Sequence, residues 1–393
     1  MVDVSSSFGR AICEGVSRFA VERGGWLLLP YKAAQEPRVM ADWLRANRVD
    51  GIISCVASRE IFLFLRETGI PLVNVLLRDC GPGVTSVTSD SAGIGRLAVD
   101  FFRRSGFINF AFCGYSGLAF SELRGKAFSK SLATLGYTLH LPPGDERPCR
   151  AKFKYEQAYG ADSDRHLGKW LRNLPKPVAI LACNDVRGQQ VVRVAQECGI
   201  AVPEELAVLG VDNDETSCRL CAPALSSIDP NCNGIGHAAA QALYKLKLGI
   251  VQAGTDIGVP PGGVIERQTT ALAAVTDPIV AEALRIIRDR IREKMTPRKL
   301  SDALGCSGTK LDSLFRKNLG CSSAEVIARV RLKRLTEILQ ETDLPLKAIA
   351  AMFSFSSPIG LSMFIRRTTG ITPLKLRQNA RPVDGENGNS GRE

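Results

Sequence analysis

Two groups of residues in this chain have the types and spacing to do chemistry. The first is a doubled run: Leu311-x-x-Leu314-Phe315-Arg316-Lys317-x-x-Gly320 recurs as Leu361-x-x-Phe364-Ile365-Arg366-Arg367-x-x-Gly370, offset by 50 residues at every matched position. Apolar residues at i, i+3 and i+4 share one face of a helix, so the cations beside them point outward, where they can hold a polyanion. The second group is a set of hydrogen-bonding side chains that follow apolar runs. Arg10 follows Ser5-Ser-Ser-Phe-Gly9 at the first strand-to-helix turn, Asn184-Asp185 follows Ile180-Leu-Ala-Cys183, and Asp212-Asn213 closes Leu206-Ala-Val-Leu-Gly-Val211. A guanidinium, an amide and carboxylates in such places offer paired donors and acceptors in fixed geometry. Asp185 reads equally well as a helix N-cap.

Catalytic chemistry finds less support. Gly93-x-Gly95 lacks a third glycine at the right offset and does not follow the first strand, and neither GxxxxGK nor GxSxG occurs. His140, His166 and His237 have no motif around them. Cys218 and Cys221 form a CxxC without a second pair and without a helix opening behind a strand, so they read as structural thiols. No enzyme, cofactor or metal is expected. A transport-type binding protein would explain the first 275 residues but not the repeat.

Each copy of the doubled run requires a helix, and each is preceded by a shorter one. Leu300 to Leu304 leads to a turn at Gly305-Cys306, and Leu346 to Met352 leads to a turn around Ser354-Phe355; Ser307 and Ser356 are the expected N-caps of the next helix in each copy. The pattern is helix, turn, helix, twice over. A long helix from about Ser323 to Gln340, carrying Arg329, Arg331, Lys333 and Arg334, joins the copies. Two recognition helices on one rod can enter successive major grooves of double-stranded DNA if they stand about 34 Å apart. By position, Thr309, Asp312 and Ser313 on the first helix and Ser357, Pro358, Ser362 and Met363 on the second are the candidate base readers. Lys310, Arg316, Arg366 and Arg367 are the candidate phosphate contacts.

The second group needs a different scaffold. Up to about residue 275, short apolar runs alternate with helix-length segments, the signature of a doubly wound α/β domain with parallel sheets. The expected strands are Trp26-Leu-Leu-Leu29, Gly51-Ile-Ile53, Leu72-Val-Asn-Val75, Phe107-Ile-Asn-Phe-Ala-Phe112, Val178-Ala-Ile-Leu-Ala182 and Leu206 to Val211. Ligands bind such folds at the carboxyl ends of the strands. Only Val2-Asp-Val4 stands for the first strand, which suggests a shortened strand or a start further upstream. Asp277-Pro278 marks the change to continuous helix, and residues 382–393 are polar, Gly-rich and expected to be disordered.

Charge follows the same division. Residues 277–382 hold 20 Lys/Arg against 10 Asp/Glu, whereas residues 1–276 hold 30 against 27. A basic module on a near-neutral body implies a polyanion partner for that module. The 12 cysteines are irregularly spaced, which suits thiols in a reducing compartment. Without an apolar run of about 20 residues or a signal-peptide start, the chain is expected in the cytoplasm and away from membranes.

From about residue 280 to 380, Ile349-Ala350, Phe355-Ser356, Gly370-Ile-Thr-Pro373 and Arg377 resemble the closing signature of the AraC/XylS regulators, whose domain is two helix-turn-helix units joined by a linker helix. Members usually carry an arginine where this chain has Ser313 and Met363 and an aromatic where it has Gly360, so the operator sequence does not transfer. Ile180 to Asp185 and Pro203 to Asn213 resemble the effector domains of LacI/GalR regulators and periplasmic sugar-binding proteins, in which two α/β lobes close on a sugar.

That resemblance implies an all-α DNA-binding domain over 276–381 behind a two-lobed periplasmic-binding-protein-like domain over 1–275. Its first lobe would comprise about 1–106 and 228–250, and its second about 107–227 and 251–275. It also implies a pocket built from Phe8, Arg10, Arg124, Asn184, Asp185 and Asp212. Further partners so implied are a sugar effector, D-xylose or a relative, a second copy of the chain in a homodimer, and RNA polymerase for an activator. Asn184 and Gly9 depart from the pattern near the pocket, which leaves the sugar open.

Overall fold

The computed structural model describes residues 2, 4–29, 37–55, 59–76, 84–143, 161–271, 275 and 277–378. The chain divides into two compact units, Met1–Ala274 and Val275–Glu393.

The first unit is built on two sheets. One has four parallel strands in the order β1 (Ile52–Ser54), β2 (Leu72–Asn74), β3 (Thr85–Ser89) and β9 (Asp256–Val259). The other runs β10 (Gly263–Ile265), β8 (Ser226–Asp229), β7 (Leu206–Val211), β6 (Val178–Ala182), β4 (Phe110–Cys113) and β5 (Leu139–His140), parallel except for the β10 edge. The near-continuous apolar runs have a direct cause: this sheet is covered on both faces. Ala111, Ile180 and Val208 point into one core with Leu171 and Val191, while Phe110, Phe112, Ala179, Leu181 and Leu209 point into the other with Phe102 and Phe128. Alternate residues therefore serve opposite faces, as the pleat requires.

In the first lobe the helices Ser7–Arg23 and Cys232–Lys247 pack side by side on the sheet. Their contact is closer than ordinary side chains permit. A Cβ on Gly15 would stand 2.0 Å from the Asn233 carbonyl oxygen, and one on Gly236 would stand 2.0 Å from that of Ile12.

Two expectations fail here. Residues 26–29 form no strand: Leu27 is 83% exposed, and only Trp26 is held, edge-on against Phe19. A strand needs a neighbour, and among the described residues nothing pairs on the far side of β1, since Val2 and Val4 are not in a strand.

The expected lobe limits also move. Helix Ser91–Arg104 buries Ile94, Ala98 and Phe102 in the second lobe's core, and β9 lies in the first sheet, so the chain crosses at Asp90, near Asn231 and at residues 260–262. The three crossings are bonded to one another. Asp90 N donates to Val259 O at 2.8 Å, Gly262 N to Asp229 O at 2.9 Å, and Asn231 Nδ2 to Pro260 O at 3.2 Å.

The second unit is helical throughout: Pro278–Asp289, Pro297–Ala303, Gly308–Leu319, Ser323–Glu341, Leu346–Met352, Pro358–Thr369 and Pro373–Gln378. Asp277 caps the first of these with Pro278 in its opening turn. The expected tail, 382–393, lies outside the described residues. No helix among the described residues is long and apolar enough to cross a membrane.

Candidate functional site

At the carboxyl ends of β4, β6 and β7 the structure gathers one cluster. Arg124 lies on helix Ala119–Ala133, is 5% exposed, and reaches two strand ends. Its Nη1 donates to Cys183 O at 2.5 Å and its Nη2 to Asp212 Oδ1 at 3.2 Å. Its Nε is buried without a hydrogen-bond partner among the described residues. The Asp212 carboxylate stays about a quarter exposed, so the pair keeps an accessible acceptor at the strand ends while the Arg124 guanidinium is buried behind it. Asp212 and Asn213 have φ of 120° and 48°, a conformation that costs a non-glycine residue energy and recurs at binding sites. Bonds from Asp212 N to Ile228 O, from Asn213 N to Ser227 Oγ and from Arg267 Nη2 to Asn213 Oδ1 hold that turn at 2.9 to 3.0 Å.

The other expected pocket residues are placed differently. Asn184 is the N-cap of helix Asp185–Glu197; its Oδ1 accepts from Arg187 N at 2.9 Å, and the residue is 4% exposed. Asp185 points inward, not into the cleft, and is not itself the cap. Its carboxylate accepts from Ser227 Oγ at 2.5 Å, Asp214 N at 2.8 Å and Cys218 Sγ at 3.4 Å, which ties the helix start to the ends of β7 and β8. Burial, then the charge of Asp212, pushes its carboxyl up to about 7, against the pull of those donors. Burial likewise raises the Cys218 thiol.

Arg10 is exposed and donates from Nη1 to the carbonyls of Val4 and Ser5 at 3.2 and 2.8 Å, while Phe8 packs on the first lobe's core. Neither is hydrogen-bonded to the Arg124 cluster.

Sequence reasoning missed two aromatics. The Phe120 ring lies 5.4 Å from the Arg124 guanidinium, and Tyr115 lies 4.9 Å from that of Arg187. The position of Tyr115, two residues past the end of β4, was the available signal. Ser121 fixes it there by accepting from Tyr115 N at 2.8 Å.

In the helical unit the doubled run is a doubled structure. Leu311 and Phe315 in one copy, and Leu361 and Ile365 in the other, are fully buried, whereas Leu314 and Phe364 are half-buried. The two helices end alike. Gly320 and Gly370 have φ of 69° and 76° and donate to the carbonyls of Arg316 and Arg366 at 3.0 and 2.9 Å, a left-handed cap that favours glycine. They also begin alike, with Ser307 accepting from Lys310 N and Ser357 from Gly360 N. The expected cap at Ser356 is thus one residue early. The second turn holds five residues, 353–357, where the first holds four, 304–307.

On the outward faces, Thr309, Lys310, Ser313 and Arg316 are exposed on the first helix, as are Met363, Arg366 and Arg367 on the second. Asp312 is not free to read bases: its Oδ1 accepts from Ser323 N at 3.0 Å and Ser323 Oγ at 2.6 Å, binding the recognition helix to the start of the linker helix. Those bonds hold its carboxyl below the usual carboxylate range. Ser362 donates to Pro358 O at 2.9 Å within its own helix, and Ser357 and Pro358 are half-buried at the helix start.

Arg331, one of the four basic residues noted on the linker helix, is buried at 8% exposure. It donates to Phe353 O and lies over the Phe355 ring at 4.3 Å. Arg377 closes the unit by donating to Leu339 O at 3.1 Å and Leu344 O at 2.6 Å.

Two protein families match this arrangement: the periplasmic binding protein-like domain over residues 99–270 and the helix-turn-helix domain over residues 300–379. The chain carries a periplasmic binding protein-like domain followed by a helix-turn-helix domain, the make-up of a transcription regulator. Two curated relatives align with this regulator along most of their length. It is 27% identical over 345 residues to the xylose operon regulatory protein of Haemophilus influenzae, covering 86% of this chain and 87% of that one. The protein of the same name from Escherichia coli K12 is 26% identical over 385 residues, 96% of this chain and 95% of that one. Among solved structures, the xylose-binding transcription activator xylR superposes with a TM-score of 0.78 at 25% identity, covering 96% of this regulator and 97% of that chain.

Proposed function

We propose that this chain is a cytoplasmic, non-enzymatic regulator of pentose catabolic genes. It binds D-xylose or a related sugar between its two α/β lobes and thereby alters how its tandem helix-turn-helix domain engages double-stranded operator DNA. The observation that carries the reading is the Arg124–Asp212 pair at the strand ends, an accessible acceptor for sugar hydroxyls held in fixed geometry by the buried guanidinium behind it. The full-length similarity to regulators named for the xylose operon supports the sugar. The three bonded crossings at Asp90, Asn231 and residues 260–262 are where lobe closure is absorbed. A homodimer presents four recognition helices to the operator, and the partner for activation is RNA polymerase.

A thermal-shift screen of the full chain against pentoses and hexoses tests this. A ligand that binds only the folded state stabilises it, by about 2.7 kcal/mol at a hundredfold excess over Kd. D-xylose is expected to raise the melting temperature, and Arg124→Ala to abolish that shift while DNA binding without sugar persists. A screen with no shifting sugar, or a variant that still responds in full, would remove the sugar from the account or Arg124 from the pocket.

A further inference from the structure

The second recognition helix carries an exposed apolar pair that the first lacks. Ile359 is 71% exposed and Met363 is 67% exposed, four residues apart on one face of helix Pro358–Thr369. They border a shallow groove of about 300 Å³ lined also by Pro358, Ser362, Arg366 and Pro373. At the offset of 50 residues the equivalent positions on the first helix are Thr309 and Ser313, both exposed and polar. The cations do not change between copies: Arg316 and Lys317 correspond to Arg366 and Arg367. The caps at both ends are shared, so the two helices present the same face.

We infer that Ile359 and Met363 read thymine, by packing on the C5-methyl groups of two neighbouring A·T pairs in the major groove. This rests on the DNA-binding reading above and adds the base class to it. The occupant follows from the setting. An apolar pair flanked by Arg366 and Arg367 suits a surface that is anionic at its rim and apolar at isolated points within, and the thymine methyl is the apolar feature that the major groove displays. Ile359 stands in the first turn, where a recognition helix meets base edges. Met363, one turn later, has a flexible thioether that adapts to a methyl without fixed hydrogen-bond geometry. The first unit, with Thr309 and Ser313 at these positions, has no such apolar pair.

The experiment selects binding duplexes from a random-sequence pool with the full chain, then replaces each thymine in turn by deoxyuridine, which removes the methyl and nothing else. Two neighbouring thymines in the half-site of the second unit are expected to lose about fourfold in affinity each, the worth of one buried methyl-sized group. In the variant Ile359→Asn with Met363→Ser, which removes the apolar pair, those two penalties vanish while any others remain. Deoxyuridine that costs nothing at every position in the wild-type complex overturns the inference and leaves the DNA-binding reading intact. Penalties that persist unchanged in the variant also overturn it. A variant that alters sedimentation of the free protein while keeping the penalties assigns the pair to a contact between copies instead. Failure to enrich any sequence overturns the DNA-binding reading itself, and the inference with it.

Discussion

Thr309, Ser313, Arg316 and Lys317 on the first recognition helix correspond to Ile359, Met363, Arg366 and Arg367 on the second, and the two helices share their serine N-caps and left-handed glycine C-caps. What differs is the way each unit is fastened to the linker helix Ser323–Glu341. The first is fastened by a carboxylate, Asp312, at the linker's N-terminal end, where the helix dipole and two Ser323 donors favour a negative charge. The second is fastened by a guanidinium, Arg331, buried against the Phe353 carbonyl and the Phe355 ring. At the offset of 50 residues Asp312 corresponds to Ser362, which donates to Pro358 O within its own helix. The two copies share their backbone caps and buried positions and differ in their fastenings and outward faces. The second turn, one residue longer, brings Phe353 and Phe355 to Arg331.

The comparison can be broken at its fastenings. Arg331→Leu removes a charged hydrogen bond to a buried carbonyl, a change of about 2 kcal/mol. Amide hydrogen exchange of the full chain should show that loss of protection across residues 346–369 and much less across 297–319; equal loss in both units would mean that the linker is not fastened asymmetrically. Asp312→Ala removes a helix-start acceptor and should cost about 1 kcal/mol near Ser323, whereas Ser362→Ala, the matched change, should stay within about 0.5 kcal/mol.

The Asp312 effect carries a pH signature. Because its folded carboxyl lies below the unfolded value, its contribution is present above about pH 3.9 and is lost as pH falls through the lower folded value. A difference between wild type and Asp312→Ala that failed to shrink in acid would contradict that fastening.

The sequence was most legible where local and tertiary demands agree. Val178–Ala182 and Leu206–Val211 are strands over the residues expected, because an apolar run bounded by polar residues leaves a doubly covered strand little choice. Residues 26–29 show the same composition and form no strand, since pairing depends on a neighbour that composition does not reveal. In the helical unit the 50-residue offset located the buried positions and matched the two glycines that prove to be caps. It would also have placed the second N-cap at Ser357, but the longer turn hid the register.

Side-chain roles were the least legible. Asp185, Asp312 and Arg331 are charged residues in plausible binding positions, and each is turned inward to bond backbone or side-chain groups of a neighbouring segment. Nothing in the spacing of a charged residue tells whether its partner is a ligand or the fold. Arg124 was singled out by resemblance alone, and the structure places it between the ends of two strands, β6 and β7, whose positions were legible.

The central claim is that a sugar bound in the first unit changes what the second unit does on DNA, through different affinities of the sugar for two states. Its most direct test is a titration of a selected operator duplex with the full chain, followed by fluorescence anisotropy and footprinting, with and without saturating D-xylose. The expected result is that the sugar changes the affinity or the extent of the footprint in the wild-type protein and leaves both unchanged in Arg124→Ala. A sugar that binds the protein yet leaves affinity, footprint and transcriptional output all unaltered would contradict it.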